Sequence, residues 1–184
     1  VHELGGVYLD IIKDRMYVTK SNSYARRSAQ FALFEVAEIL IRLISPILVF
    51  TAEEIWQSHE LFKKQSVSIF MASQKVLSEI ESSISDEDWK KIFAVKDAVN
   101  QSIEKARADS VIKGSLDSKI SISCDKKTFQ ALQKIKDELK FVFISSEVEI
   151  AESSSSRLDI EVTNFDQKKC IRCWNKCSSV GLYA

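Results

Sequence analysis

Ser23 to Trp56 reads SYARRSAQFALFEVAEILIRLISPILVFTAEEIW, and the way this stretch divides its apolar and polar residues decides the fold. Glu35, Glu38, Arg42 and Ser45 follow one another at steps of three, four and three, which places them on one narrow stripe of an α-helix. Phe31, Leu33, Phe34, Val36, Ala37, Ile39, Leu40, Ile41, Leu43 and Ile44 occupy the rest of the cylinder. So thin a wet face predicts a helix covered on several sides, a central element of a bundle. Pro46 ends it, because proline has no N–H and clashes with the preceding turn. Thr51 is the expected N-cap of a shorter helix, with Glu53 and Glu54 in its first turn, where the helix dipole favours acids. Arg26 and Arg27 stand near the start of the long helix, where positive charge opposes the dipole. Their placement points to a partner outside the helix.

Outward from this stretch, the flanks carry the same helical signal. Leu4, Val7, Tyr8, Ile11, Ile12 and Met16 recur at three and four, an amphipathic helix interrupted at Gly5-Gly6. Lys20–Ser23 is a polar turn, and so short a link predicts two antiparallel helices. Beyond Trp56, Val67, Ile69 and Met71 alternate as in a short extended segment. A polar connector then leads to Ser85-Asp86-Glu87-Asp88, a cap followed by acids in the first turn of a second long helix. Trp89, Ile92, Phe93, Val95, Val99 and Ile103 form its apolar face, with Lys96 and Glu104 expected outward.

From Leu116 the period changes to two. Ile120 and Ile122 alternate with serines before Cys124, Val148 and Ile150 with glutamates, and Leu158, Ile160 and Val162 with acids. These are three short half-buried strands. One helix over 126–143, capped by Asp125, lies between the first two, and the serines 153–156 read as a hairpin loop. The expected class is mainly α: an antiparallel helical bundle over 1–114, a small α+β module over 115–166, and a basic cysteine-containing tail over 167–184.

The bulk numbers limit what such a chain does. In 184 residues, 45% are hydrophobic, enough for a core, while one proline and four glycines fit long helices with few tight turns. The formal net charge is zero, so a polyanion would have to meet a local patch. No apolar run reaches the ~18 residues of a membrane span. No basic n-region opens the chain, and both ends read as cuts in a longer protein, so a cytoplasmic, reducing location is expected. Ser145–Asp166 carries six acids and one arginine, whereas the tail carries Lys168, Lys169, Arg172 and Lys176 and no acid.

Within that tail, Cys170-Ile171-Arg172-Cys173 is a C-x-x-C knuckle. Two thiolates at this spacing grip one Zn²⁺ from a tight turn, and a structural zinc takes four ligands. Cys177 is a third candidate at an unusual spacing, no fourth follows, and the two histidines, His2 and His59, are far off in sequence. Half of a zinc site, a redox dithiol and an unengaged pair are the three readings of the motif. Cys124 closes a strand and reads as an inert small hydrophobe; Trp56 and Trp89 read as core anchors. Trp174, beside the knuckle in a basic tail, is placed to stack on a nucleobase. Arg26, Arg27, Lys105, Arg107 and Lys113 suit phosphate contacts or simply solvated helix ends. There is no glycine-rich phosphate loop, no histidine near a nucleophile and no catalytic carboxylate pair, so this stretch of chain reads as a binder.

The order of these pieces resembles a known family. YLDIIKDRMY (Tyr8–Tyr17) followed by YARRSAQFALFEVAEILIRLISPILVFTAEEIW (Tyr24–Trp56) is similar to the anticodon-binding helical domain of bacterial-type isoleucyl-tRNA synthetases, of class I. VNQSIEKARADSVIKGSL (Val99–Leu116) resembles that family's next long helix, and KCIRCW (Lys169–Trp174) the first half of its C-terminal zinc module. The resemblance runs through the whole chain in the same order. It implies a tRNA-binding part of an enzyme that joins isoleucine to its tRNA, with ATP and isoleucine bound by a catalytic domain that this chain lacks. The expected partner is an isoleucine tRNA, with no membrane and a monomeric state. Arg26 and Arg27 match the family's double arginine, and Arg172 and Trp174 extend the expected tRNA-binding set of Arg26, Arg27, Lys105, Arg107 and Lys113. Cys170 and Cys173 match the first zinc knuckle, whose second half the family places further on; Asn175-Lys176-Cys177 departs from its pattern. The alternative is a helical protein-interaction module with a metal-binding knuckle.

Overall fold

The computed structural model describes residues 3–75, 81–155 and 157–182. A π-helical turn, Glu3–Tyr8, runs into α1 (Leu9–Ile11) and α2 (Lys13–Tyr17). Then come α3 (Tyr24–Ile44), α4 (Val49–Ser58), α5 (Glu60–Lys63) and the long α6 (Asp86–Ala108). Last are β1 (Ser118–Cys124), α7 (Lys126–Gln133), α8 (Leu139–Val142), β2 (Glu147–Glu152) and β3 (Asp159–Asn164). The chain is mainly helical, with one small three-stranded sheet. It divides into two compact units: residues 15–80, and residues 1–14 together with 81–184. Packing thus cuts the chain elsewhere than at the expected boundary after 114, because α6 shares its core with the sheet.

In the 15–80 unit, Ser23 caps α3 by accepting from the Arg26 N–H at 3.3 Å, and the helix ends two residues before Pro46. Ile41, Ala52, Trp56, Phe62 and Ile69 form the core, with Phe34 and Ile44 against it. The rings of Phe34 and Phe62 stack at 5.0 Å and those of Trp56 and Phe62 at 5.1 Å. Three expectations fail here. The polar stripe of α3 is not its wet face: Glu38 is 1% exposed and Ser45 is buried, while Phe31 (65%), Leu40 (43%) and Leu43 (63%) are exposed. The charges turn inward because they find one another, Glu38 accepting from Arg42 at 2.6 Å and from Lys75 at 2.7 Å. Thr51 is not a cap, since α4 already begins at Val49, after Leu48 N–H reaches back to the Ile44 carbonyl at 2.8 Å. The Val67–Met71 segment is not extended; Ile69–Met71 forms a 3₁₀ turn that buries Ile69 and leaves Val67 and Met71 out. Glu53 holds that turn, accepting from Ser68 Oγ at 2.9 Å and the Ile69 N–H at 3.0 Å.

In the other unit, Ser85 and Asp88 close a reciprocal capping box on α6, Asp88 N–H to Ser85 Oγ at 3.2 Å and Ser85 N–H to Asp88 Oδ2 at 3.1 Å. Ile92, Val95, Val99 and Ile103 of α6 meet Ile120 and Ile122 of β1 and Leu132, Leu139 and Val142 of α7 and α8 in one core. β1 is the middle strand, parallel to β2 and antiparallel to β3, with Ile122 opposite both Ile150 and Ile160. The serines after β2 therefore do not close a hairpin: β2 and β3 lie on opposite edges, and Ser153 N–H bonds the Cys124 carbonyl at 2.8 Å as the chain crosses the end of β1. The expected helix over 126–143 is broken into α7, a 3₁₀ turn at Lys136–Glu138 and α8. Across those breaks Leu132, Ile135, Leu139 and Val142 are all buried, with Phe129 half-buried against the same core. Lys96 is another correction. It is buried, donating to the Val142 carbonyl at 2.5 Å, where it satisfies the C-terminal end of α8. Phe93, expected inward, is 41% exposed and stacks on Trp89 at 5.6 Å.

Candidate nucleic-acid interface

The basic tail folds back on itself between Lys169 and Lys176, which form an isolated antiparallel bridge. Cys170 N–H bonds the Asn175 carbonyl at 2.9 Å, and Trp174 N–H bonds the Cys170 carbonyl at 3.0 Å, so the four residues between them make a tight knuckle. Closing it puts Trp174 at φ +63°, a left-handed backbone that a bulky side chain rarely adopts. The ring is thereby turned out, 64% exposed, with Lys169 Nζ 5.9 Å from its centroid. Ile171 and Arg172 at the tip are also exposed.

Several contacts fix this tail to its own unit. Lys176 N–H donates to Ser146 Oγ at 2.7 Å, and Cys177 N–H to the Lys168 carbonyl at 3.2 Å. Asn175 Nδ2 reaches Asp14 Oδ2 at 2.9 Å, while Lys169 and Lys176 stand 3.5 and 3.6 Å from Asp117. The result is a cationic loop with an exposed aromatic ring, the chemistry that holds phosphate and stacks on an unpaired base.

The Cys170 thiol is pulled below its ordinary value by the backbone N–H groups of Cys173 and Arg172, and by the Cys173 thiol. Such amide-to-sulfur bonds favour thiolate and suit a metal-gripping knuckle. Cys177 is held apart, its Sγ 2.7 Å from Ser179 Oγ. Among the described residues no group of three or more histidines, cysteines, aspartates or glutamates is placed to hold a metal ion. Cys124 is 1% exposed and burial pushes its thiol up, the inert hydrophobe expected.

The other predicted cations are less alike than their sequence suggested. Arg26 folds back, Nη1 donating to the Thr19 carbonyl at 3.2 Å with its Nε buried and without a partner among the described residues, whereas Arg27 is exposed. Arg107 pairs with Glu104 at 2.8 Å, and Lys113 is exposed. Lys105 lies beside Ala98, Gln101, Ser102, Leu158 and Ile160 around an open cleft of about 320 Å³ between α6 and β3. Sequence reading missed Lys169, Asn175, Lys176 and Asp117 as the residues that shape the tail. The absence of acids after Asp166 was a signal for the two lysines and not for Asp117 or Asn175.

Residues 1–122 match the family model described as the anticodon-binding domain of tRNA ligase. The isoleucine–tRNA ligase of Caldicellulosiruptor saccharolyticus is 39% identical over 183 residues, covering 98% of this chain and 20% of that protein. That of Pseudomonas aeruginosa (strain UCBPP-PA14) is 39% identical over 197 residues, covering 100% and 21%. That of Shewanella sediminis is 40% identical over 190 residues, covering 97% and 20%. The chain spans about a fifth of the length of the curated relatives it matches.

Proposed function

The chain belongs to the family of anticodon-binding domains of tRNA ligases, and on that premise we propose that it is the tRNA-gripping part of an isoleucine–tRNA ligase. The observation that carries the reading is the knuckle: an exposed Trp174 beside Lys169 and Arg172, on a tail pinned through Ser146 and Asp14. Anticodon bases are unpaired and, once splayed out, are read by stacking and edge hydrogen bonds, while Lys and Arg hold phosphates and set register. Arg27, Lys105, Lys113 and Arg172 are the exposed cations suited to the second task. Arg26 shapes the turn before α3, and Arg107 is shared with Glu104.

In this reading 167–184 is the recognition tail, carried on the unit in which α6 shares its core with the three-stranded sheet. Cys170 and Cys173 supply two ligands of a structural zinc whose remaining ligands lie outside this chain, and the amide bonds to Cys170 Sγ support it. ATP and isoleucine are handled by other parts of the ligase, which works as a cytoplasmic monomer. No helix among the described residues is long and apolar enough to cross a membrane.

The test is binding of an isoleucine tRNA transcript to the chain at increasing salt. The expected result is an affinity that falls steeply with salt and is lowered ~10-fold by Trp174→Ala, about the value of one stacked base. Salt-independent binding, or none, overturns the reading. A second reading, a protein-docking module, rests on the exposed Leu43, Ile47, Phe50, Phe70 and Met71 of the 15–80 unit. It predicts no tRNA affinity.

A further inference from the structure

A cleft between α6 and β3 stands apart from the tail. Its aliphatic lining comes from Ala98 on the helix, Ile160 on β3 and Leu158 just before that strand. Gln101, Ser102 and Lys105 line the helix side at positions i, i+1 and i+4, with Gln101 and Lys105 exposed. The alternation of β3 sends Asp159 and Glu161 to the other face of the sheet, with Ile160 and Val162 toward α6, so no β3 acid competes with the lysine here. Ser102 Oγ donates to the Ala98 carbonyl at 3.0 Å, leaving its lone pairs to accept. Glu104, the nearest acid along the helix, is committed to Arg107 at 2.8 Å. A volume of about 320 Å³ stands at the lower end of small-ligand pockets.

We propose that this cleft takes one unstacked nucleotide of the bound tRNA. The base lies on Leu158 and Ile160, its edge meets the Gln101 amide and the Ser102 hydroxyl, and its phosphate meets Lys105. An amide offers donor and acceptor together, which is what a base edge presents, and a flat apolar floor beside a single cation fits a base and its phosphate. Charge complementarity favours a phosphate-bearing occupant, because Lys105 is the charged residue of the lining and no acid stands among the lining residues. The inference rests on the tRNA-binding reading above.

A benzophenone amino acid in place of Gln101, irradiated with the isoleucine tRNA transcript, tests it. The expected result is crosslinking confined to one nucleotide, competed by unlabelled tRNA. Gln101→Ala and Lys105→Ala are each expected to weaken binding about threefold or more, the lysine variant also lowering the salt slope by about one. Ala98→Met, which extends an aliphatic chain into the cleft on a good helix former, is a second probe and should weaken binding similarly, with circular dichroism reporting an intact fold. Normal binding by all three variants, or a crosslink scattered over many nucleotides or confined to protein, overturns the cleft while leaving the tail's role standing. Failure of the unsubstituted chain to bind tRNA overturns both.

Discussion

Glu38 has both carboxylate oxygens committed, one to Arg42 and one to Lys75, and is 1% exposed. Burial pushes its carboxyl up, and the hydrogen bonds and charges of Lys75 and Arg42 more than offset this, leaving it below its usual value of 4.5. A depressed carboxyl contributes stability that is present above the unfolded value and is lost as pH falls through the folded one. Glu38→Gln is therefore expected to cost about 3 kcal/mol near neutral pH, because Arg42 keeps a buried charge with less to balance it. Urea titrations at about pH 7 and about pH 3 should show the gap between variant and parent narrowing in acid. An unchanged gap would count against the pairing. Lys96 has the opposite sign: desolvation lowers its value, against a smaller raising effect from Asp10 and Asp97. Between its folded value and the usual 10.5 the unfolded chain holds more protons, so stability rises with pH in that window. Lys96→Met should remove that rise and match or exceed the parent's stability near neutral pH, since an apolar chain of similar length replaces a buried charge.

Among the elements, α4 and α6 show how differently two helix starts are held. At α6 the signal Ser85-x-x-Asp88 is used as written, and Asp88 also takes Lys134 Nζ at 2.7 Å. Ser85→Ala should cost about 1 kcal/mol in denaturant unfolding. At α4 the same kind of signal at Thr51 is overruled by the turn through Pro46 and Ile47, which puts the N-cap at Leu48, three residues earlier. Thr51→Ala should change stability by less than about 0.5 kcal/mol, as at an ordinary exposed helix position. Equal losses in the two variants would contradict this assignment of caps. The sheet and its cover were legible because alternation at Ile120, Ile122, Val148, Ile150, Ile160 and Val162 has only one reading. Strand order was not legible. Four serines fit a hairpin and a crossover equally well, and only the apolar match of both edges to β1 selects the second.

Across the whole molecule the net charge is zero, yet its signs are sorted, acids on the outer face of the sheet and cations in the tail. A neutral chain therefore owes any tRNA affinity to a few local contacts, and single substitutions should be visible. Arg27→Ala is expected to lower affinity for the isoleucine tRNA transcript and to reduce the salt slope by about one. Arg26→Ala should act chiefly on stability, through the lost bond to the Thr19 carbonyl. Binding isotherms at several salt concentrations, beside thermal melts, separate the two. If both arginines change only affinity, the folded-back role of Arg26 is wrong.

By itself the sequence determined the helical and strand periods, the stop at Pro46, the cap at Ser85, the buried Trp56 and Cys124, and the family, since each depends on neighbours a few residues apart or on a long matching string. Only the tertiary structure decided which face of α3 is wet, that Lys96 is buried, that β1 is central, and that Trp174 is turned outward at positive φ. For α3 and Lys96 the reason is the same. A charged stripe reads as a solvent face until its counter-charges are located, and Lys75 lies some forty residues from Glu35, as Val142 lies forty-six from Lys96. Local pattern carries no information about partners at that separation; packing supplies it.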